Sequence, residues 1–209
     1  SNGIGHQTGA LVNVSGVNNY AGLISLGTGG GTISSDSGTL NLTNPGSITS
    51  AQVLTLAGAA DGSLTSILGA AVTGVTKNGT GTWTLRGVNA STGAISVNAG
   101  TLKLGDGVSG RYTSTPNLIF TGSGSFVFGG STLASTQALG ALPLTAGEGR
   151  LAVESPVDGI NGLTFSALTA PLGGTGLNIV SPANTTVLIT GVVDVNGIVD
   201  PHLFFNGAD

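Results

Sequence analysis

The stretch NGTGTWTLRGVNASTGAISVNAGTLKLG, Asn78 to Gly105, decides how the chain folds. Its apolar residues come in alternating pairs, Trp83 and Leu85 around Thr84, then Leu102 and Leu104 around Lys103. Period two is the mark of a strand with one face buried, and glycine or asparagine at each end of the pairs marks turns. The alternation puts Trp83, Leu85, Leu102 and Leu104 on one side and Thr82, Thr84, Thr101 and Lys103 on the other. A strand of about four residues cannot bury its apolar side alone. It can when like rungs stack, Trp83 over Leu102 and Leu85 over Leu104, into one inner column. The phrase GTWTL at Gly81 returns as GTLKL at Gly100, a step of about one solenoid coil.

Repetition extends beyond this stretch. VSGVNNYAGLISL (Val14–Leu26) aligns without gaps with LRGVNASTGAISV (Leu85–Val97), and SGTLNL (Ser37–Leu42) matches AGTLKL (Ala99–Leu104). VLTLAG from Val53, NLIFTG from Asn117, SFVFGG from Ser125, LPLTAG from Leu142 and TTVLITG from Thr185 are lines of the same kind. The expected fold is all-β, a single-stranded parallel β-helix. At roughly 20–25 residues per rung the chain holds about nine or ten rungs, a rod some ~45 Å long at ~4.8 Å per rung. A sandwich or barrel is the competing all-β arrangement, but it uses strands of about five to six residues, longer loops and aromatic anchors. Here aromatics are 4% of the chain, which favours the solenoid. Residues 1–155 are expected to form solenoid repeats. Residues 156–209, with the longer apolar groups GVVDVNGIV and HLFF, either continue the solenoid or form an atypical terminal or capping region.

Composition narrows the functional classes. Charged residues are 7% of the 209, far below the usual quarter. The 39% hydrophobic content with a net charge of −4 still permits an ordered core. No apolar run approaches the ~18 residues of a membrane-spanning helix, so no membrane insertion is expected. Five basic residues scattered along the chain leave no electrostatic footprint for nucleic acid. The lack of cysteine excludes disulfide scaffolds and thiolate metal sites and is compatible with export. The start SNG and the absence of methionine point to a piece of a longer parent chain.

Residues 77–105 resemble the autotransporter-associated β-strand repeat, also called the passenger-associated transport repeat. Its pattern K-x-G-x-G-x-x-x-L-x-G-x-N, then T-G, then V-x-x-G-x-L-x-L-G, falls on Lys77, Gly79, Gly81, Leu85, Gly87, Asn89, Thr92, Gly93, Val97, Gly100, Leu102, Leu104 and Gly105. The family's T-Y-T-G stands here as ASTG, Ala90–Gly93. Weaker forms run through GALVNVSGVNNYAGLISL from Gly9 and STQALGALPLTAGEG from Ser135. The resemblance implies a right-handed parallel β-helix within a long passenger on the surface of a bacterium, and it implies no catalytic residue.

Polysaccharide-active β-helices cluster carboxylates with a basic group on an exposed face, whereas the nine acids here are dispersed. The densest group is DVNGIVDPH, with Asp194, Asp200 and His202. Its structural reading is two Asx-type turns around a short strand; its functional reading is an acid–base or metal site. GTGGGT (Gly27–Thr32) and GGTGLN (Gly173–Asn178) lack the lysine and following helix of a phosphate loop and read as turns. Arg86 and Lys103 point outward, as solvated charges or as contacts to an acidic glycan. No catalytic, cofactor or metal residue is expected. The expected role is a rigid stalk or passenger rod of a secreted or cell-surface protein. Alternatives are a glycan-binding adhesin module, a fibre subunit that self-associates end to end, and a polysaccharide-active β-helix enzyme.

Overall fold

Glycine-rich corners and four-residue apolar alternations leave the chain one economical arrangement, a coil that turns after each short strand. The computed structural model describes residues 9–130, 135–169, 175–192 and 203–205. Every paired strand among these residues is parallel to its neighbours, and none of them is helical. Successive coils place their strands on three faces.

The main face is a nine-stranded sheet: Val17–Tyr20, Thr39–Leu42, Asp61–Leu64, Thr82–Leu85, Thr101–Leu104, Ser125–Phe128, Gly147–Val153, Thr175–Val180 and Leu203–Phe205. The first face stacks Leu11–Asn13, Gly31–Ser35, Val53–Ala57, Gly74–Lys77, Ala94–Val97 and Leu118–Phe120. The third face carries the two-residue strands Ser47–Ile48, Ile67–Leu68, Val88–Asn89 and Arg111–Tyr112. It continues in the longer Ser135–Pro143, Asn161–Thr169 and Thr185–Ile189. Among the described residues the third face therefore has seven rungs, and the chain forms a β-solenoid of about seven turns. The nine or ten rungs expected from a uniform step are reached on the main face alone. The first coil has no third-face strand, and the step itself lengthens. Along the main face it is shortest from Trp83 to Leu102, longer from Leu102 to Phe126 and longest from Leu151 to Ile179.

The register pairs Trp83 with Leu102 and Leu85 with Leu104. All four side chains are buried, while Thr82, Thr84, Thr101 and Lys103 are half-exposed on the outer side. Downward, Trp83 lies over Gly62 and Leu85 over Leu64; upward, Leu102 meets Phe126 and Leu104 meets Phe128. Each aliphatic side chain so buried contributes about 1.5–3 kcal/mol, and none of these strands could secure that burial without its neighbours.

The corner between the first and main faces needs glycine. Gly79 (φ +73°) and Gly100 (φ +61°) are left-handed, and a β-carbon on either would collide with the carbonyl oxygen of the glycine one coil below, Gly58 or Gly79. In the later coils the corner between third and first faces opens. Ser135–Pro143 and Asn161–Thr169 run straight through it, and the Leu144 N–H donates to the Thr169 carbonyl at 2.8 Å.

One aligned pair of repeats separates in space. The G-V-N of Gly16–Asn18 enters the main face, whereas that of Gly87–Asn89 enters the third. The second pair, Thr39–Leu42 and Thr101–Leu104, does share the main face.

Candidate functional site

On the first face a lysine is turned inward. In Gly74–Lys77 the alternation that buries Val75 also buries Lys77, which is 0% exposed. Its ammonium donates to three backbone carbonyls, Asn78 at 2.8 Å, Gly79 at 2.7 Å and Ala99 at 3.2 Å. Three donors meet three acceptors, so the cation is held without a contacting carboxylate. Ala99 belongs to the next coil, and the lysine therefore ties two coils at the glycine corner. Burial pushes the Lys77 ammonium down to about 8 from the ordinary 10.5, and the field of Asp61 partly offsets this. Asp61 also accepts from the Thr82 N–H at 2.8 Å.

Buried amides join coils at the other corners. Asn89 is fully buried; its Oδ1 accepts from the Leu68 N–H at 2.9 Å, and its Nδ2 donates to the carbonyls of Gly87 and Arg111 at 3.0 and 3.2 Å. A two-residue strand offers few ladder bonds, and the amide supplies those the backbone cannot. Gln137 and Asn161 act alike higher up: the Gln137 Oε1 accepts from the Tyr112 N–H, and the Asn161 Oδ1 accepts from the Ser135 N–H of the coil below at 3.2 Å. Trp83 closes its own polar requirement by donating from Nε1 to the Ala57 carbonyl at 2.9 Å.

The outward charges expected to stand in solvent or meet a glycan are paired within the chain. Arg86 Nε lies 3.1 Å from Asp106, and Lys103 Nζ lies 2.7 Å from Glu154. Partial burial works against the Asp106 carboxylate, but the N–H groups of Ser109 and Val108 and the Arg86 guanidinium outweigh it and hold its pKa below the ordinary value. On the outer main face Asn41 donates to Asn19 at 3.1 Å and accepts from Ser63 at 2.9 Å, a short amide–hydroxyl ladder.

Asp194, Asp200 and His202 lie outside the described residues. Among the described residues no three His, Asp or Glu side chains converge to hold a metal ion. GTGGGT forms a tight turn, closed by the Gly30 N–H on the Gly27 carbonyl at 2.9 Å. In GGTGLN, by contrast, residues 175–178 belong to the Thr175–Val180 strand and not to a turn. At the N-terminal end a hollow of about 430 Å³ opens between Leu11, Tyr20, Leu23, Ile24, Leu26 and Ile33.

Sequence reading misses Lys77 and Asn89 as joints, although both belong to the repeat motif. Period two from Val75 is the available signal for Lys77.

No curated protein and no solved structure matches the chain. The family model of the passenger-associated transport repeat matches residues 75–104. That span contains two strands each of the first and main faces and one of the third, about one and a half coils. Lys77, the corner glycines, Asn89 and the inward leucines all lie within it. The chain thus carries a passenger-associated transport repeat, at residues 75–104.

Proposed function

We propose that this chain is a rigid, non-catalytic spacer within an exported passenger on the surface of a bacterial cell. The family repeat at residues 75–104 supports export and surface placement. The observation that carries the mechanical part is the unbroken inner column, in which Trp83, Leu102, Phe126, Leu151 and Ile179 lie on successive coils of one sheet. Stacked coils hold their two ends apart at a fixed spacing of about 4.8 Å per coil. The ion pairs of Arg86 and Lys103 are consistent with a surface that settles its own charges.

The test is surface display. With the chain placed between an N-terminal epitope and an outer-membrane anchor, the epitope is expected to be protease-accessible on intact cells. Removing one whole coil should preserve display, and removing half a coil should abolish it. Equal display of both deletions would refute a folded spacer.

A glycan-binding role is the second reading, carried by the Asn19–Asn41–Ser63 ladder on the flat outer face. Binding on a glycan array that is lost in Asn41→Ala would support it, and an array without signal would remove it.

A further inference from the structure

The corner that holds the Lys77 ammonium also brings together the parts of a cyclisation. Asn78 is followed by Gly79, whose missing side chain leaves its backbone nitrogen the least hindered path to the preceding side-chain amide. Hydrogen bonds from three directions fix Asn78. Its N–H donates to the Leu56 carbonyl of the coil below at 2.8 Å. In the coil above, Asn98 Nδ2 donates to Asn78 Oδ1 at 2.7 Å, and the Asn98 N–H is anchored on the Lys77 carbonyl at 3.0 Å. Lys77 Nζ donates to the Asn78 carbonyl at 2.8 Å.

These contacts favour reaction at both partners. The Asn78 carbonyl is conjugated with the Gly79 nitrogen, so a cation on that oxygen makes the Gly79 N–H more acidic. A donor on Oδ1 makes the side-chain carbonyl carbon more electrophilic, as an oxyanion hole does. Among the described residues nothing accepts from the Gly79 N–H or from Asn78 Nδ2, the leaving group. Asn78 and Gly79 are half-exposed, within reach of water. Asn161–Gly162 is the contrast. Asn161 is fully buried, its Oδ1 accepts from the Ser135 N–H and hydroxyl, and its Nδ2 donates to the Glu154 carbonyl. Gly162 lies in a strand paired on both sides.

We propose that Asn78–Gly79 is a site of self-modification in the folded chain. The Gly79 nitrogen gives its proton to solvent base and bonds to Asn78 Cγ; the Cγ–Nδ2 bond breaks, and ammonia leaves with a proton from solvent. Water then opens the cyclic imide at either carbonyl, leaving an aspartyl or an isoaspartyl residue. The aspartyl product adds a carboxylate to the corner. The isoaspartyl product adds a methylene to the main chain where even a β-carbon on Gly79 would collide with Gly58, and it draws the Asn78 carbonyl from Lys77. A coil of the family repeat thereby loosens with age.

Peptide mapping by mass spectrometry tests this on the full chain, incubated folded and unfolded in urea at neutral pH. Digestion in heavy-oxygen water marks any cyclisation that occurs in the digest. Asn78 is expected to convert faster in the folded chain than in the unfolded one, and Asn161 slower. Asn98→Ala and Lys77→Met should each slow Asn78 about tenfold, the worth of one strong hydrogen bond. Asn161 gauges folding in every sample; a Lys77→Met chain that loses its protection leaves the decision to Asn98→Ala and the wild type. The Lys77 ammonium, which Asp61 helps to hold, is lost near pH 8. The folded-to-unfolded rate ratio at Asn78 should therefore fall as pH rises through 8, which a merely structural lysine would not cause. Protection of Asn78 equal to that of Asn161 would overturn the proposal. So would faster conversion in Asn98→Ala, which would make that contact a restraint, or a rate ratio indifferent to pH.

Discussion

The indole of Trp83 lies directly against the backbone of Gly62, its register partner one coil below. A β-carbon on Gly62 would sit 2.6 Å from the ring carbons. Leu40 and Leu102 occupy the same column on either side of this pair. One oversized side chain and one absent side chain together fill two positions that leucines fill elsewhere. Gly62→Ala should therefore destabilise the fold by about 1–3 kcal/mol through overpacking. Trp83→Leu alone should cost roughly as much through the void it leaves. The double variant Gly62→Ala, Trp83→Leu should recover part of both losses, a coupling that urea denaturation of all four chains would read as non-additivity.

Stability should rise with pH across the window in which folded and unfolded Lys77 differ. The folded ammonium loses its proton near 8 and the unfolded one near 10.5, so between these values the unfolded chain holds more protons and is disfavoured as pH climbs. A gain of about 1–2 kcal/mol is expected between pH 8 and pH 9.5. Above 10 the trend should turn, because burial raises the Tyr112 phenol well above its ordinary 10.0 and only the unfolded chain ionises there. Denaturant midpoints across this range check both limbs. Lys77→Met should flatten the first limb. It should also cost about 2–3 kcal/mol at pH 7, since the Asn78, Gly79 and Ala99 carbonyls lose their donor.

Asn89→Ala should cost about 2–4 kcal/mol, because it strips partners from a buried Leu68 N–H and from the Gly87 and Arg111 carbonyls together. Asn89→Asp keeps the acceptor, removes both donated bonds and buries a charge. It should be the less stable of the two at pH 7 and regain ground in acid, where the carboxyl protonates. Parallel melts at neutral and acid pH separate the cases.

Deleting residues 84–102 joins Trp83 to Lys103 and brings Trp83 to the position of Leu102. The shortened chain should fold with a single cooperative transition and full β-sheet circular dichroism. Deleting residues 84–93 removes half a coil, shifts every later strand off its face, and should leave the chain unfolded or aggregated.

The inner column is legible in the sequence because its signal is local. Trp83, Leu85, Leu102 and Leu104 declare their side through immediate neighbours, and a single repeat of the G-T phrase connects the two pairs. The number of coils is less legible, since the step grows towards the C-terminal end through loops that leave no periodic trace. The shared G-V-N suggests equivalence for Gly16 and Gly87, yet the phrase is corner chemistry, and two different corners use it. Lys77 is hidden for another reason. Its charge suggests solvent, while the carbonyl that completes its cage, Ala99, lies on the next coil. The partners of Arg86 and Lys103 are likewise remote in sequence, Asp106 about a coil away and Glu154 two strands further along the main face.

The hydrogen bonds between coils all run along the rod, so a pull on its two ends loads them in series. Such a load opens one coil at a time. Each coil released frees roughly 20–25 residues, about 65–90 Å of extended chain, in exchange for a rise of only ~4.8 Å. Under tension the molecule therefore becomes an extensible tether that lengthens more than tenfold in discrete steps.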